Sequence, residues 1–171
     1  MGLKLNAIER IEHNACLIIG SNIRPAYHLP LAIQRLKRFV KILAISDAWE
    51  TEAVGSSGPK FANAAVLVCT NLNIYRLKFR VLRKIEATLG RQRGYDKYAP
   101  RTIDIDIVTY DNELIEPLLW EYPHLAVPCA QVLPTLQNKE TGENLESVAN
   151  RLRIHSEISN YREITSKFNI S

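Results

Sequence analysis

The sequence has only three cysteines in 171 residues, at positions 16, 69 and 129, and no two of them form a C-x-x-C pair. A disulfide framework is therefore not expected. Cys16 and Cys69 lie in the apolar runs "ACLIIG" and "AAVLVCT", where a buried free thiol in a reducing compartment is the expected state. That places the chain in the cytoplasm. No apolar run approaches the roughly 20 residues that span a bilayer, and "MGLKLNAIERIEHN" lacks the apolar stretch of a signal peptide. The familiar nucleotide and hydrolase signatures are missing as well. "GSSGPK" at 55–60 lacks the G-x-x-x-x-G-K-[ST] spacing, and there is no G-x-G-x-x-G, G-x-S-x-G or H-E-x-x-H. A triphosphate site in this chain would be neither P-loop nor kinase-type.

What is present fits one soluble domain over residues 1–171, with 46% hydrophobic and 23% charged residues. Such a length buries a core without structural metal. The net charge of +4 suits nucleic acid or a polyanionic small ligand, and the position of the charges has to decide between them.

"ACLIIG" followed by "GSN" reads as a buried strand and a turn. Leu29, Ala32, Ile33, Leu36 and Val40 recur at helical spacing over residues 28 to 40. "KILAISDAWETEA" reads as one strand, "VGSSGPK" as a loop, and "FANAAVLVCT" as a strand pairing antiparallel with its predecessor. Asn71 or Asn73 is the candidate N-cap of a long helix marked by Ile74, Leu77, Val81, Leu82, Ile85 and Leu89 and closed by Gly90. A strand follows the basic loop "RQRGYDKYAP", and the tail shows a helix near residues 145 to 152. The order β-α-β-β-α-β predicts an α+β, ferredoxin-like core with a mainly antiparallel sheet covered by helices, in three α/β/α layers. Trp120 and Tyr122 read as surface cover.

The chemistry concentrates in "PRTIDIDIVTYD", residues 100 to 111. Alternation sends Ile103, Ile105 and Ile107 to the core and Thr102, Asp104 and Asp106 to the other face. Two carboxylates two residues apart on a strand stand roughly 6.5 to 7 Å apart at Cα. They can hold one or two divalent cations through oxygen ligands, which favours Mg²⁺. Between positions 91 and 101 lie four cations, Arg91, Arg93, Lys97 and Arg101, and one acid, Asp96. Cations and metal-competent carboxylates together suit a polyphosphate, because Mg²⁺ and guanidinium groups neutralise different oxygens. Glu86 projects near the same helix end. Taken singly, the aspartates also fit an edge strand facing water, and the cations a solvated loop.

"LIIGSN", "WETEAVG" followed by "FANAAV", "IEATLGRQR" and "YAPRTIDIDIV", in this order and spacing, resemble the 6-hydroxymethyl-7,8-dihydropterin pyrophosphokinases of folate biosynthesis. The resemblance covers about residues 15–134 and leaves 1–14 and 138–171 as extensions. It implies transfer of pyrophosphate from ATP to a reduced pterin with release of AMP, by a monomer that binds neither nucleic acid nor membrane. It also implies that Asp104 and Asp106 hold two Mg²⁺ ions and that Arg91 and Arg101 act on the transferring phosphates. Glu86, Arg93, Lys97, Ile107 and His124 would serve ATP. Thr51, Val54, Phe61 and Asn63 would line the pterin pocket, with Phe61 stacking and the Asn63 amide matching the pterin edge. The chain departs from the family where an arginine and a phenylalanine usually follow the Pro-His pair: Ala130 and Val132 stand there. A different hydroxymethyl acceptor is one alternative this leaves. A basic ferredoxin-like nucleic-acid-binding module is another, although the chain has no RNP1-like strand.

Overall fold

A computed structural model describes residues 11–53, 58–92, 94 and 99–168. Seven strands form one sheet in the order β6-β5-β1-β4-β3-β7, with β2 also pairing β4. They are β1 (His13–Ser21), β2 (Lys41–Ile45), β3 (Trp49–Thr51), β4 (Phe61–Thr70), β5 (Asp104–Tyr110), β6 (Glu113–Leu114) and β7 (Ile158–Asn160). Every pairing is antiparallel. The central order β5-β1-β4-β3 is that of the split βαβ arrangement expected from the sequence.

Helix α1 (Pro25–Leu36) crosses from β1 to β2. It begins and ends three to four residues earlier than the periodicity predicts, because Pro25 supplies a first-turn residue without an N–H to satisfy. A second crossover runs from β4 to β5 through α2 (Ile74–Arg76), a π-helical stretch (Leu77–Leu82) and α3 (Arg83–Thr88). Asn73 is its N-cap, the Oδ1 accepting from Arg76 N at 2.9 Å. Gly90, at φ 80°, ends it as only a residue without Cβ does readily. These helices bury Leu29, Ile33, Leu36, Leu77, Leu82 and Ile85 against Leu17, Ile19, Val66, Ile103, Ile105 and Ile107 on one face of the sheet.

On the other face α4 (Pro123–Val132) and α5 (Leu145–Ile154) pack over Cys16, Ile18, Ala65 and Val108, which makes the three layers. Val108 shares this face with Asp104 and Asp106 by simple alternation; a β-bulge then intervenes, Leu17 pairing with Ile107 and Cys16 with Thr109, so that Tyr110 beyond it packs on the first core. In the second core Cys16 and Cys129 meet as buried free thiols, 3.8 Å apart at Sγ.

The single strand expected from residue 41 to 53 is two. Ser46 interrupts it, accepting Ala65 N on its Oγ at 2.8 Å and donating to Asp47 O at 2.7 Å. A side chain that substitutes for ladder hydrogen bonds lets the backbone turn without leaving a buried donor unpaired. The tail is integrated. Ile164 and Phe168 lie in the first core, beside Ala48.

Candidate active site

The layer formed by α4 and α5 stops short of one end of the sheet, where a cavity of about 450 Å³ opens. Its floor is a transverse row. Trp49 pairs with Asn63, Asn63 with Gly20, and Gly20 with Asp104. One row along, Ile18 pairs with Asp106, and one row back Thr51 pairs with Phe61. Adjacent strands are about 4.8 Å apart, so Asn63 and Asp104 are separated by roughly 10 Å of floor. Asn63, Gly20, Thr51, Phe61, Arg101, Asp104 and Asp106 all line the cavity. The opposite wall is Glu116, Leu118, Tyr122, His124 and Leu125.

At one end the side chains suit a flat polar ring. Asn63 Nδ2 donates to Thr51 Oγ1 at 3.3 Å, and both residues are buried. Asn63 Oδ1 is turned toward Gly20, where an added Cβ would meet it at 2.6 Å. Phe61 presents its ring beside them, with the Arg101 guanidinium carbon 5.7 Å from its centroid.

At the other end charge prevails. Arg101 Nη1 donates to Asp104 Oδ2 at 2.5 Å, and Arg91 Nη2 lies 3.8 Å from the same oxygen. Arg91 Nε is buried without a hydrogen-bond partner among the described residues. Arg101 is fixed at its backbone by Asn22, whose Oδ1 accepts Arg101 N at 2.7 Å and whose N donates to Arg101 O at 3.2 Å. The "GSN" read as a turn therefore carries a residue that anchors the arginine. The signal was present, since asparagine after a strand end commonly bonds the backbone.

Glu86 is buried behind Asp104, and its Oε1 accepts Ile105 N at 2.9 Å. Burial pushes its carboxyl up to about 7, against the pull of the Ile105 N–H, and the charge and hydrogen bond of Asp104 push the same way. The side chain of Asp106 faces the cavity. Its carboxyl is raised above the ordinary range by the surrounding protein and then by Asp104. Two neighbouring carboxylates on one face, offering only oxygen donors, fit Mg²⁺. Among the described residues no cluster of three or more His, Cys, Asp or Glu side chains is assembled for a metal. His124 stands in the first turn of α4, and burial lowers its imidazole pKa.

Of the residues expected from sequence, Thr51, Phe61, Asn63, Arg101, Asp104, Asp106 and His124 thus share one cavity. Arg91 and Glu86 sit just behind it and line a second depression with Phe79, Arg83 and Ala87. Ile107 is not brought in: its side chain belongs to the opposite core, because odd positions of β5 before the bulge face the helices. Val54, Arg93 and Lys97 lie outside the described residues. Tyr122, expected as surface cover, is a cavity wall. Ala130 and Val132 face the second core instead. Gln131 between them locks that end of α4, accepting from Asp47 N at 2.9 Å and Trp49 Nε1 at 3.1 Å.

The antiparallel ferredoxin-like sheet thus carries arginines and aspartates, which suit phosphate and metal, at one end of a cavity and an aromatic and amide pocket, which suits a flat polar ring, at the other. Comparison with known proteins makes the assignment specific. Residues 16–134 match the family described as 7,8-dihydro-6-hydroxymethylpterin-pyrophosphokinase, and the chain belongs to that family. A 2-amino-4-hydroxy-6-hydroxymethyldihydropteridine pyrophosphokinase of Aquifex aeolicus is 36% identical over 109 residues, 62% of this chain and 66% of that protein. A folate synthesis bifunctional protein of Arabidopsis thaliana is 32% identical over 130 residues, 70% of this chain and 27% of its own length. The matches thus span less than two thirds of these relatives. The crystal structure of wild-type Plasmodium falciparum HPPK-DHPS with pteroate superposes with a TM-score of 0.66 at 12% identity, over 82% of this chain and 42% of that one, a likeness of fold.

Proposed function

We propose that this chain, as a single-domain cytoplasmic monomer, transfers the terminal diphosphate of ATP to the hydroxymethyl group of 6-hydroxymethyl-7,8-dihydropterin, giving AMP and the pterin diphosphate. The observation that carries this is the polarity of the cavity. A ring-binding end (Thr51, Phe61, Asn63) and a charge-bearing end (Arg101, Asp104, Asp106) share one floor, with Gly20 between them.

The ring stacks on Phe61, and the Asn63 amide offers a donor and an acceptor to its edge. The hydroxymethyl group then points along the floor toward Asp104. Its oxygen attacks the β-phosphorus, the bond from that phosphorus to the oxygen bridging to the α-phosphorus breaks, AMP leaves with that oxygen, and the hydroxyl proton is released. Asp104 and Asp106 would hold two Mg²⁺ ions, whose charge neutralises phosphate oxygens and orients the chain of phosphates. Arg101 and Arg91, which share Asp104 in the structure, are within reach of the same region and stabilise charge on the transferring group. Arg93, Lys97 and His124 add donors for the phosphates, and Glu86 and the β5 backbone at Ile107 border the adenosine. Val54 would contribute to the ring pocket, as the resemblance implies.

The test is AMP release from Mg²⁺-ATP with and without the reduced pterin. Pterin-dependent AMP, lost in Asp106→Ala, is expected. Mg²⁺-dependent ATP binding without pterin-dependent AMP would overturn the acceptor. One observation favours a second acceptor reading: with Ala130 and Val132 in the core, the other large apolar or aromatic side chains lining the cavity with Phe61 are Ile18, Leu118, Tyr122 and Leu125. A panel of hydroxymethyl heterocycles in which another compound outpaces the pterin would establish it.

A further inference from the structure

The ring-binding end of the cavity hangs on β3, a strand of three residues that follows directly on the break at Ser46. One edge of β3 pairs with β4. The other pairs along its whole length with β7: Trp49 with Asn160, Glu50 with Ser159 and Thr51 with Ile158. Thr51 therefore sits between Phe61 and Ile158 in one row.

The same tail closes the backbone just before β3. Tyr161 N donates to Ala48 O at 2.7 Å, and Ala48 N donates to Thr165 Oγ1 at 2.9 Å. Both polar groups of a fully buried residue are thus satisfied by residues 161 and 165. Asn160 Nδ2 donates to Asp47 Oδ2 at 2.9 Å. Ile164 and Phe168 insert into the first core and hold the helical turn α6 (Arg162–Thr165) against α1. The strand held in this way carries Thr51, whose hydroxyl takes the Asn63 amide proton at 3.3 Å. None of residues 158–168 falls within the family-matched stretch 16–134.

We propose that residues 158–168 form a positioning element for acceptor binding: by clamping Ala48 and β3 they set the Thr51 hydroxyl and through it the orientation of the Asn63 amide, so the tail governs affinity for the pterin and leaves ATP affinity alone. The asymmetry follows from the sheet. Thr51 and Asn63 lie on β3 and β4, whereas Arg101, Asp104 and Asp106 lie across β1 on or beside β5, where the tail makes no strand pairing. The inference rests on the assignment of Thr51 and Asn63 to the acceptor.

The test is the double variant Asn160→Ala/Thr165→Val in the full chain, with Thr165→Ser as the conservative control. Backbone amide exchange at residues 49 to 51 reports whether β3 has been released, and steady-state kinetics give each substrate's KM. Faster exchange with a pterin KM raised about tenfold, the equivalent of roughly one positioned hydrogen bond, an ATP KM within about twofold, and wild-type behaviour in Thr165→Ser are expected. Released β3 with an unmoved pterin KM would overturn the proposal, as would unchanged exchange or a parallel rise in both KM values. Failure of the double variant to fold is answered by Asn160→Ala alone, which removes one exposed contact and should show the same split in smaller measure. Asn63→Ala separates the two readings. If it leaves pterin affinity intact, the acceptor assignment fails; if it weakens pterin while the tail variants do not, only the tail inference fails.

Discussion

Asn63 Oδ1 stands 2.6 Å from the point that a Cβ on Gly20 would occupy, and Phe61 Cδ1 stands 3.9 Å from the same point. The missing side chain on β1 is what lets the amide lie across the strand toward the charged end of the cavity. Gly20→Ala is therefore expected to push the amide off its Thr51 partner. Overpacking of this kind costs about 1–3 kcal/mol, and the loss should fall on pterin KM, raised about tenfold, more than on ATP KM. Thermal unfolding with two-substrate kinetics checks both. A variant with wild-type pterin KM would show that the amide is not used.

Much of this was legible in the sequence for definite reasons. The isoleucine and aspartate alternation in β5 forces opposite faces, because the strand period is two, and the structure places Ile103, Ile105 and Asp106 accordingly. Asn73 and Gly90 bound their helix through local hydrogen bonding and a positive φ, both sequence-local effects. What escaped depends on contacts distant in sequence. The break at Ser46 exists because Ala65, 19 residues on, bonds its hydroxyl. Asn22 anchors Arg101 across 79 positions. Ala130 and Val132 align with family site residues, yet Gln131 docks their helix on Asp47 and Trp49 and turns them inward. Periodicity could not announce β7, since three residues show no period.

Glu86 makes the fold pH-sensitive in the absence of metal. Its carboxyl titrates near 7 when folded, against 4.5 as the unperturbed value. A raised pKa means that the folded state holds a proton the unfolded state has released, so stability is full below about pH 4.5 and falls as pH rises toward 7 and beyond. The loss should reach about 3 kcal/mol at most. Glu86→Gln keeps the acceptor for Ile105 N and should flatten this slope. Urea unfolding in chelator from pH 4.5 to 8 measures it; equal slopes in the two proteins would contradict a shifted Glu86.

Asp106→Asn separates catalysis from stability. Asp106 faces the cavity with its carboxyl raised by the surrounding protein and by Asp104. Neutralising it relieves that repulsion, so the metal-free variant should melt at or slightly above the wild-type temperature. Turnover should nevertheless fall by about 10³ or more, as when a metal ligand or charge-stabilising group is removed. Wild-type turnover would show that Asp106 holds no catalytic metal, and a large drop in melting temperature would show that it has a packing role.

Arg101 joins the two ends of the cavity. Its guanidinium bonds Asp104 at 2.5 Å while standing 5.7 Å from the Phe61 centroid, and Asn22 fixes its backbone on both polar groups. A planar group can hold a carboxylate or phosphate with one edge and lie over a ring with its face; an ammonium can do neither in the same way. Arg101→Lys retains the charge and loses that geometry. If Arg101 stabilises charge that develops only as the diphosphoryl group moves, kcat should fall about 10²-fold with ATP KM within a few-fold of wild type. The opposite split, with ATP KM raised and kcat preserved, would make Arg101 a binding residue for the nucleotide. Asn22→Ala should reproduce a weaker form of the kcat defect, because it frees the backbone that aims the guanidinium, and Asn22→Ser should recover part of it.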